Sequence, residues 1–127
     1  MTPNKFRRLA LALPGAVEAS HGGHPDFRAG KRKRIFATLG YPDNAWAMIK
    51  LNPDQQAFLL ATQPEIFKPV KGAWGASGNT NVRLDVADAA SIANALRLAW
   101  EAVSSMSSSK VSPSQRKSSP ARKKAFR

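Results

Sequence analysis

Hydrophobic residues in the first half of the chain predict a helix followed by a series of strands. Apolar side chains recur at i, i+3, i+4 and i+7, the spacing of one helical face, at Phe6, Leu9, Ala10 and Leu13. The Pro14-Gly15 pair ends this helix. Phe27 is predicted to lie in a short strand, and alternation of period two predicts strands over residues 35–39 and 45–51. Three consecutive strands with short connections indicate an antiparallel meander.

The second half of the chain predicts two helices on either side of a second β unit. Asn52 is a good helix cap, Pro53 suits the first helical position, and the helix must end before Pro64. Apolar and polar residues alternate over residues 82–86, which predicts a strand within residues 66–86. Asp88 then caps a last helix with an apolar side that reaches Val103.

The net charge of the chain is concentrated towards its end. The 127 residues include 20 Lys and Arg against 8 Asp and Glu, a net charge of +12. Residues 104–127 hold nine serines, two prolines and seven basic residues with no acid, and they have too few apolar side chains to offset the entropy of folding. We therefore predict one folded domain over residues 1–103 and a disordered basic tail over residues 104–127.

Several classes of site and location are excluded or disfavoured by composition. The chain has no cysteine, which excludes disulfides, iron–sulfur clusters, thiolate zinc sites and cysteine nucleophiles. No apolar run approaches the roughly 20 residues that span a bilayer, and the apolar start of the chain breaks at Pro14-Gly15, which favours a cytoplasmic protein over a secreted one. Most serines lie in the predicted tail and the eight acids are scattered. We therefore predict no enzymatic activity and no cofactor.

A run of four basic residues, at Lys31, Arg32, Lys33 and Arg34, is the first candidate nucleic-acid site. Such a run can neutralise several phosphates, and arginine binds them bidentately. The alternative is a solvated hairpin tip that keeps a sheet edge soluble. If a strand begins at this run, its side chains alternate, and one face presents only two of the four.

Aromatic and basic residues on the predicted strands form a second candidate. Trp46, Met48 and Lys50 share one strand face, and Arg83 is a candidate for the same side of the sheet. An open face of this kind would resemble a platform for single-stranded nucleic acid. We prefer the interpretation that the tryptophan and the methionine fill the core. Trp74, in a glycine-rich segment, is the better candidate for a partly exposed aromatic.

The sequence His21-Gly-Gly-His24-Pro-Asp26 contains the ligand types of a metal site. Its spacing in a loop is unspecific, so we predict no metal there. The tail repeats a Ser-Pro unit followed by basic residues, similar to the tails of chromatin-type proteins that lie along DNA. A cationic arm of this kind gains affinity by releasing counterions from phosphates, and its candidate contacts are Arg116, Lys117, Arg122, Lys123 and Lys124. The alternative is a tail that only solubilises the protein.

Several segments together resemble the MmcQ/YjbR family over about residues 5–103. They are LPGAVE at 13–18, HPDFR at 24–28, RIFATL at 34–39, MIKLNP at 48–53, GAWGASG at 72–78 and VRL at 82–84, with Ala99-Trp100 in the last helix. The resemblance implies a bacterial protein with an α-β-β-β-α-β-β-α domain, similar to CyaY-like and secretion-chaperone folds, and members are usually labelled DNA-binding. One departure is Asn79, which stands where the family pattern usually has an aromatic residue.

These observations predict a single two-layer α+β domain with an antiparallel sheet and a basic tail. The predicted function is non-enzymatic and weakly sequence-specific DNA binding, mainly to the phosphate backbone, through residues 31–34, Lys50, Trp74, Arg83 and the basic arm. The alternative is an adaptor module that holds a protein partner, a second copy of the chain or a small ligand. A groove or dimer interface near Trp46 or Trp74 would favour that alternative.

Overall fold

The structure, a computed structural model, describes residues 1–41 and 43–108. Its helices are α1 (Pro3–Leu11), α2 (Pro53–Thr62), α3 (Ala73–Ala76) and α4 (Ala89–Ser108), and a 3-10 turn covers Leu84–Val86. Its strands are β1 (Val17–His21), β2 (His24–Ala29), β3 (Arg34–Leu39), β4 (Trp46–Lys50), β5 (Phe67–Pro69) and β6 (Asn79–Arg83). The strands form one antiparallel sheet in the order β1-β2-β3-β4-β6-β5.

Local capping explains where the helices begin. Thr2 accepts a hydrogen bond from the backbone N–H of Lys5 at the start of α1. Asn52 and Gln55 form a reciprocal capping box at the start of α2, with Pro53 at the first helical position. The Asp88 carboxylate accepts from the backbone N–H of Ser91 and holds the start of α4. The predicted caps at residues 52 and 88 are therefore confirmed.

The main core lies between one face of the sheet and helices α1 and α4. Phe6 of α1 is fully buried with its ring 6.1 Å from that of Phe27. Ile49 in the sheet and Ile92 in α4 are also fully buried in this cluster. Removing such side chains from water is the main stabilising contribution to the fold.

A bulge between β2 and β3 changes which side chains enter the core. Phe27 pairs with Ala37 and Arg28 pairs with Ile35, so Phe36 is an extra residue on β3. Phe36 and Ala37 are both fully buried. As a result Ile35, which the alternation alone would place with Ala37, pairs with Arg28 on the opposite face of the sheet.

The predicted α+β class with an antiparallel sheet is confirmed, and three elements differ in detail. The predicted meander of three strands has a fourth strand, β1. The sequence pattern does not predict β1, because it is an edge strand whose five residues are all exposed and show no alternation of burial. Residues 84–86 form a 3-10 turn instead of continuing the strand, although Leu84 is buried. The helix α4 extends to Ser108, past Val103, where the sequence places the end of the folded part. None of the helices in the described part of the chain is long and apolar enough to cross a membrane.

Candidate functional site

The face of the sheet away from α1 and α4 is defined by side chains that pair across the central strands. Thr38 pairs with Met48, and Met48 pairs with Asn81, so the three share this face. Lys50 pairs with Asn79 on the same side. We call this surface the open face.

Three neighbouring cavities follow one another across the open face, and we call them together the open-face groove. The central cavity has a volume of about 360 Å³ and is lined by His21, Ile35, Thr38, Met48, Lys50, Leu51, Trp74, Ser77 and Asn79. At one end, a cavity of about 220 Å³ shares His21, Thr38, Met48 and Trp74 with it and adds His24 and Tyr41. At the other, a cavity of about 230 Å³ shares Ile35, Lys50, Leu51 and Ser77 and adds Arg34, Asn52, Gln55, Ala102 and Val103.

The charged side chains that line the groove are all basic. Arg34 and Lys50 line its end near α4, and none of the described residues that line the three cavities is acidic. Asp26 pairs across β2 and β3 with Thr38 on the open face, but its side chain is fully buried and does not line the cavities. The groove therefore favours an anionic occupant over a cationic one.

Asp26 is fully buried and contacts Arg28 and His21, of which His21 lines the groove. Its carboxylate accepts hydrogen bonds from Arg28 at 2.7 and 3.0 Å, and its Oδ2 lies 2.6 Å from Nδ1 of His21. The hydrogen bonds from Arg28 outweigh the cost of burial and, with the His21 contact, lower the pKa of Asp26 from its ordinary value. The carboxylate therefore stays ionised and fixes the position of the His21 ring in the groove lining.

The floor of the groove contains a hydroxyl with no hydrogen-bond partner. Thr38 is 1% exposed, and its Oγ1 makes no hydrogen bond, although it lines two of the three cavities. Beside it, Met48 is 5% exposed. The buried Oδ1 of Asn81, on the next strand, is also without a partner. A buried hydroxyl can donate and accept, so it offers a recognition atom to an occupant of the cavity.

The short helix α3 forms the wall of the groove, and two glycines of the GAWGASG segment at 72–78 allow it to pack closely against the rest of the fold. A Cβ on Gly75 would lie 1.6 Å from the carbonyl oxygen of Val70, and one on Gly78 would lie 2.1 Å from that of Leu51. Gln56 of α2 donates through Nε2 to the carbonyl oxygen of Gly75. These glycines therefore allow close packing within the chain. The wall exposes Trp74, which is 61% accessible, as predicted for a partly exposed aromatic.

Comparison with known proteins identifies the family of the chain. The family model described as YjbR matches residues 11–102. The chain belongs to the YjbR family. A crystal structure of the Deinococcus radiodurans protein DR2400, which has a DUF419 domain, is similar with a TM-score of 0.70 and 19% identity over 86% of this chain and 83% of that chain. This likeness supports the fold of the YjbR domain. A search of curated proteins finds no match.

The structure separates the predicted basic residues of the YjbR domain. Residues 31–33 form the turn between β2 and β3, and β3 begins only at Arg34. The strand alternation considered for residues 31–34 therefore does not apply, and all four side chains are exposed. Of these four, Arg34 is the one that lines the groove beside Lys50.

The predicted alignment of Trp46, Met48, Lys50 and Arg83 on one face agrees with the strand pairing. Trp46 pairs with Arg83. Met48 is buried, but it lies on the open face, outside the main core. Trp46 is only half-buried. The preferred interpretation, that both side chains fill the core, is therefore only partly correct for each. Arg83 forms an ion pair of 3.0 Å with Asp85.

Other candidate residues have different positions. The ring of His24 meets that of Tyr41 edge-on at 5.8 Å, while His21 contacts Asp26. Within the part of the chain that the structure describes, no group of three His, Asp or Glu side chains could hold a metal ion. The arm residues Arg116, Lys117, Arg122, Lys123 and Lys124 lie outside the described residues.

Asn79, the departure from the family pattern, supports the groove wall. Its Nδ2 donates to the carbonyl oxygen of Trp74 at 3.0 Å, and its own carbonyl oxygen accepts from Gln56. The side-chain amide of Asn79 therefore ties α3 to the first residue of β6.

Sequence reasoning missed Thr38 and Tyr41 as groove residues. Thr38 is the one polar residue in the run IFATL at 35–39 of β3. A polar residue within an apolar run is the signal that could have marked Thr38 as a groove residue. Tyr41 lies in a loop and reaches the groove only through the fold, so its sequence context carries no such signal.

Proposed function

We propose that this YjbR domain is a nucleic-acid-binding protein that holds a phosphodiester chain along the open-face groove. The observation that carries the proposal is an acid-free groove with Arg34 and Lys50 at one end and the exposed Trp74 on its wall. Cations bind phosphates, and an exposed aromatic stacks on bases, which together are the usual features of single-strand binding surfaces. The proposal describes a non-enzymatic role in the bacterial cytoplasm.

The basic arm contributes sequence-independent affinity in this proposal. Its cations would act through counterion release, which requires no fixed geometry. The groove would supply the orientation, because its side chains are held on strands and on a helix wall. Weak sequence preference follows, since phosphate contacts dominate and carry no direct sequence information.

The test is a salt titration of the full-length protein with single-stranded and duplex oligonucleotides, measured by fluorescence anisotropy. The groove variant combines Arg34→Gln with Lys50→Gln. The matched control combines Lys5→Gln with Arg8→Gln, which removes the same charge from exposed positions on α1, across the sheet from the groove.

We expect the groove variant to bind single strands more weakly and to flatten the dependence of log K on log salt by about 1.4, since each lost phosphate contact removes about 0.7. The control should retain the wild-type slope. Neutralising the five arm residues to Gln should flatten the slope further for every nucleic acid. Wild-type protein that shows no salt-dependent binding, or a control that loses as much affinity as the groove variant, would contradict the proposal.

A second candidate is binding of a small ligand or a protein partner, the adaptor role. The apolar part of the central cavity favours it, since Ile35, Met48 and Leu51 line that volume. In this case neither the groove variant nor the arm variant would change nucleic-acid affinity beyond the control.

A further inference from the structure

The central cavity of the groove has the size and lining of a site for one planar ring. Its volume of about 360 Å³ lies within the range of small-ligand pockets, about 300 to 1,000 Å³. Met48 and Ile35 supply apolar surface, and Trp74 supplies an aromatic wall that is 61% exposed. A flat aromatic occupant would gain both apolar burial and stacking here.

The unpartnered hydroxyl indicates that the occupant carries a polar edge. Thr38 is 1% exposed, its Oγ1 makes no hydrogen bond, and it lines the central cavity. A buried polar atom without a partner costs about 1–3 kcal/mol, which an occupant with a donor or acceptor at this point would recover. Because a hydroxyl both donates and accepts, it suits the mixed edge of a nucleobase.

The continuation of the groove on both sides indicates that the ring belongs to a chain. The cavity with Arg34 adjoins one end, and the cavity with His24 and Tyr41 adjoins the other. Lys50 lies where the central and the Arg34 cavities meet. A free ring would need only the central volume, whereas a strand would place phosphates against the cations beyond it.

We propose that the central cavity holds one unpaired nucleobase of a single strand, stacked on Trp74 and hydrogen-bonded by Thr38. This inference rests on the proposed nucleic-acid function and adds that the bound nucleotide is unpaired. A base within a duplex is stacked and paired, so the site selects single-stranded or extruded nucleotides.

The experiment compares the full-length protein with two site variants on three probes of equal length. The probes are a single-stranded oligonucleotide, the same strand with abasic positions throughout, and the duplex. Thr38→Val removes the hydroxyl with little change of shape, and because the hydroxyl has no partner, the variant is expected to fold at least as stably. Trp74→Ala removes an exposed ring, and Phe58→Ala is its control, since Phe58 on α2 is 65% exposed and lies outside the groove.

We expect the wild type to prefer the base-bearing strand over the abasic strand by about tenfold, which corresponds to about 1.4 kcal/mol of stacking and hydrogen bonding. Trp74→Ala should lose most of this preference, Thr38→Val should lose about two- to threefold in affinity for the base-bearing strand alone, and Phe58→Ala should lose none. Adenosine monophosphate should compete only at concentrations far above the Kd of the strand.

Equal binding of the base-bearing and abasic strands would overturn the base site and leave the phosphate-binding function intact. Full competition by adenosine monophosphate near the Kd of the strand would overturn the assignment to a strand, because a free nucleotide would then suffice. Absence of binding to all three probes would overturn the proposed function itself, and the base site with it.

Discussion

Gly75→Ala is expected to destabilise the protein because the helix that walls the groove has no space for a methyl group. The added Cβ would lie 1.6 Å from the carbonyl oxygen of Val70, against at least 3.4 Å for ordinary contact. The two backbone segments must therefore separate by about 1.8 Å, the difference between these distances. The contacted atoms of Val70 are backbone and the added Cβ is fixed to the backbone of residue 75, so no side-chain rotation relieves the contact.

The magnitude follows from the cost of overpacking. Extra methyl groups in a packed site cost about 1–3 kcal/mol, and more when backbone must move. The shift also disturbs the hydrogen bond from Gln56 to the carbonyl oxygen of Gly75, which contributes about 1 kcal/mol. We expect a loss of about 3 kcal/mol, which lowers Tm by at least about 12 °C for a domain of this size.

The assay is thermal and urea unfolding of the full-length variant, followed by circular dichroism. The control is Gly15→Ala, where a Cβ would meet no atom within 4 Å although φ is +73°. That substitution is expected to cost about 1 kcal/mol from its left-handed backbone alone. A Gly75→Ala protein with a Tm equal to or above that of the control would refute the assignment of this glycine to close packing.

Further predictions concern the supports of the groove. Asp26→Asn should cost about 2 kcal/mol near neutral pH, because it removes an ionised acceptor from Arg28 and His21. Since the pKa of Asp26 is lower in the folded protein than in the unfolded chain, this stability is present above about pH 4 and disappears as the pH falls further, so urea unfolding of wild type and variant should converge in acid. Gln56→Met should cost about 2 kcal/mol in the same assay by removing the hydrogen bonds that Nε2 donates to the carbonyl oxygens of Gly75 and Asn79, and a cost under 0.5 kcal/mol would contradict the tie between α2, α3 and β6.

The elements predicted best are those whose signal is local. The cap at Asn52 and the strand predicted from the alternation over residues 45–51 both depend on residues that are adjacent in the chain, and the structure confirms the cap and a strand, β4, within these bounds. The edge strand β1 escapes prediction because no layer covers it, so burial imposes no alternation on its five residues. The turn at residues 84–86 escapes it because an apolar residue at every second position also fits a 3-10 turn with one buried side chain.

The groove could be predicted only in its parts. Their types and surroundings mark Trp74 and Lys50 as candidates, but the cavity that they share with Thr38 depends on the pairing of β3 with β4 and on the placement of α3. The contact of Asp26 with His21 depends on the register of the hairpin of β1 and β2, which places Ala19 opposite the acid and His21 two residues further along, whereas Arg28 contacts Asp26 from the same strand. The pairing of strands and the placement of α3 against them are contacts between separate elements, which the pattern within one segment does not show.

Helix α4 lines one end of the groove and directly precedes the basic arm in the sequence. Ala102 and Val103 of α4 line the same cavity as Arg34, and the basic arm follows α4 in the sequence. In the proposed function the groove and the arm bind the same strand, so the second contact becomes intramolecular, with an effective concentration on the order of millimolar. The two basic regions should then act as a bivalent pair, and their combined loss should weaken binding by more than either single measurement suggests.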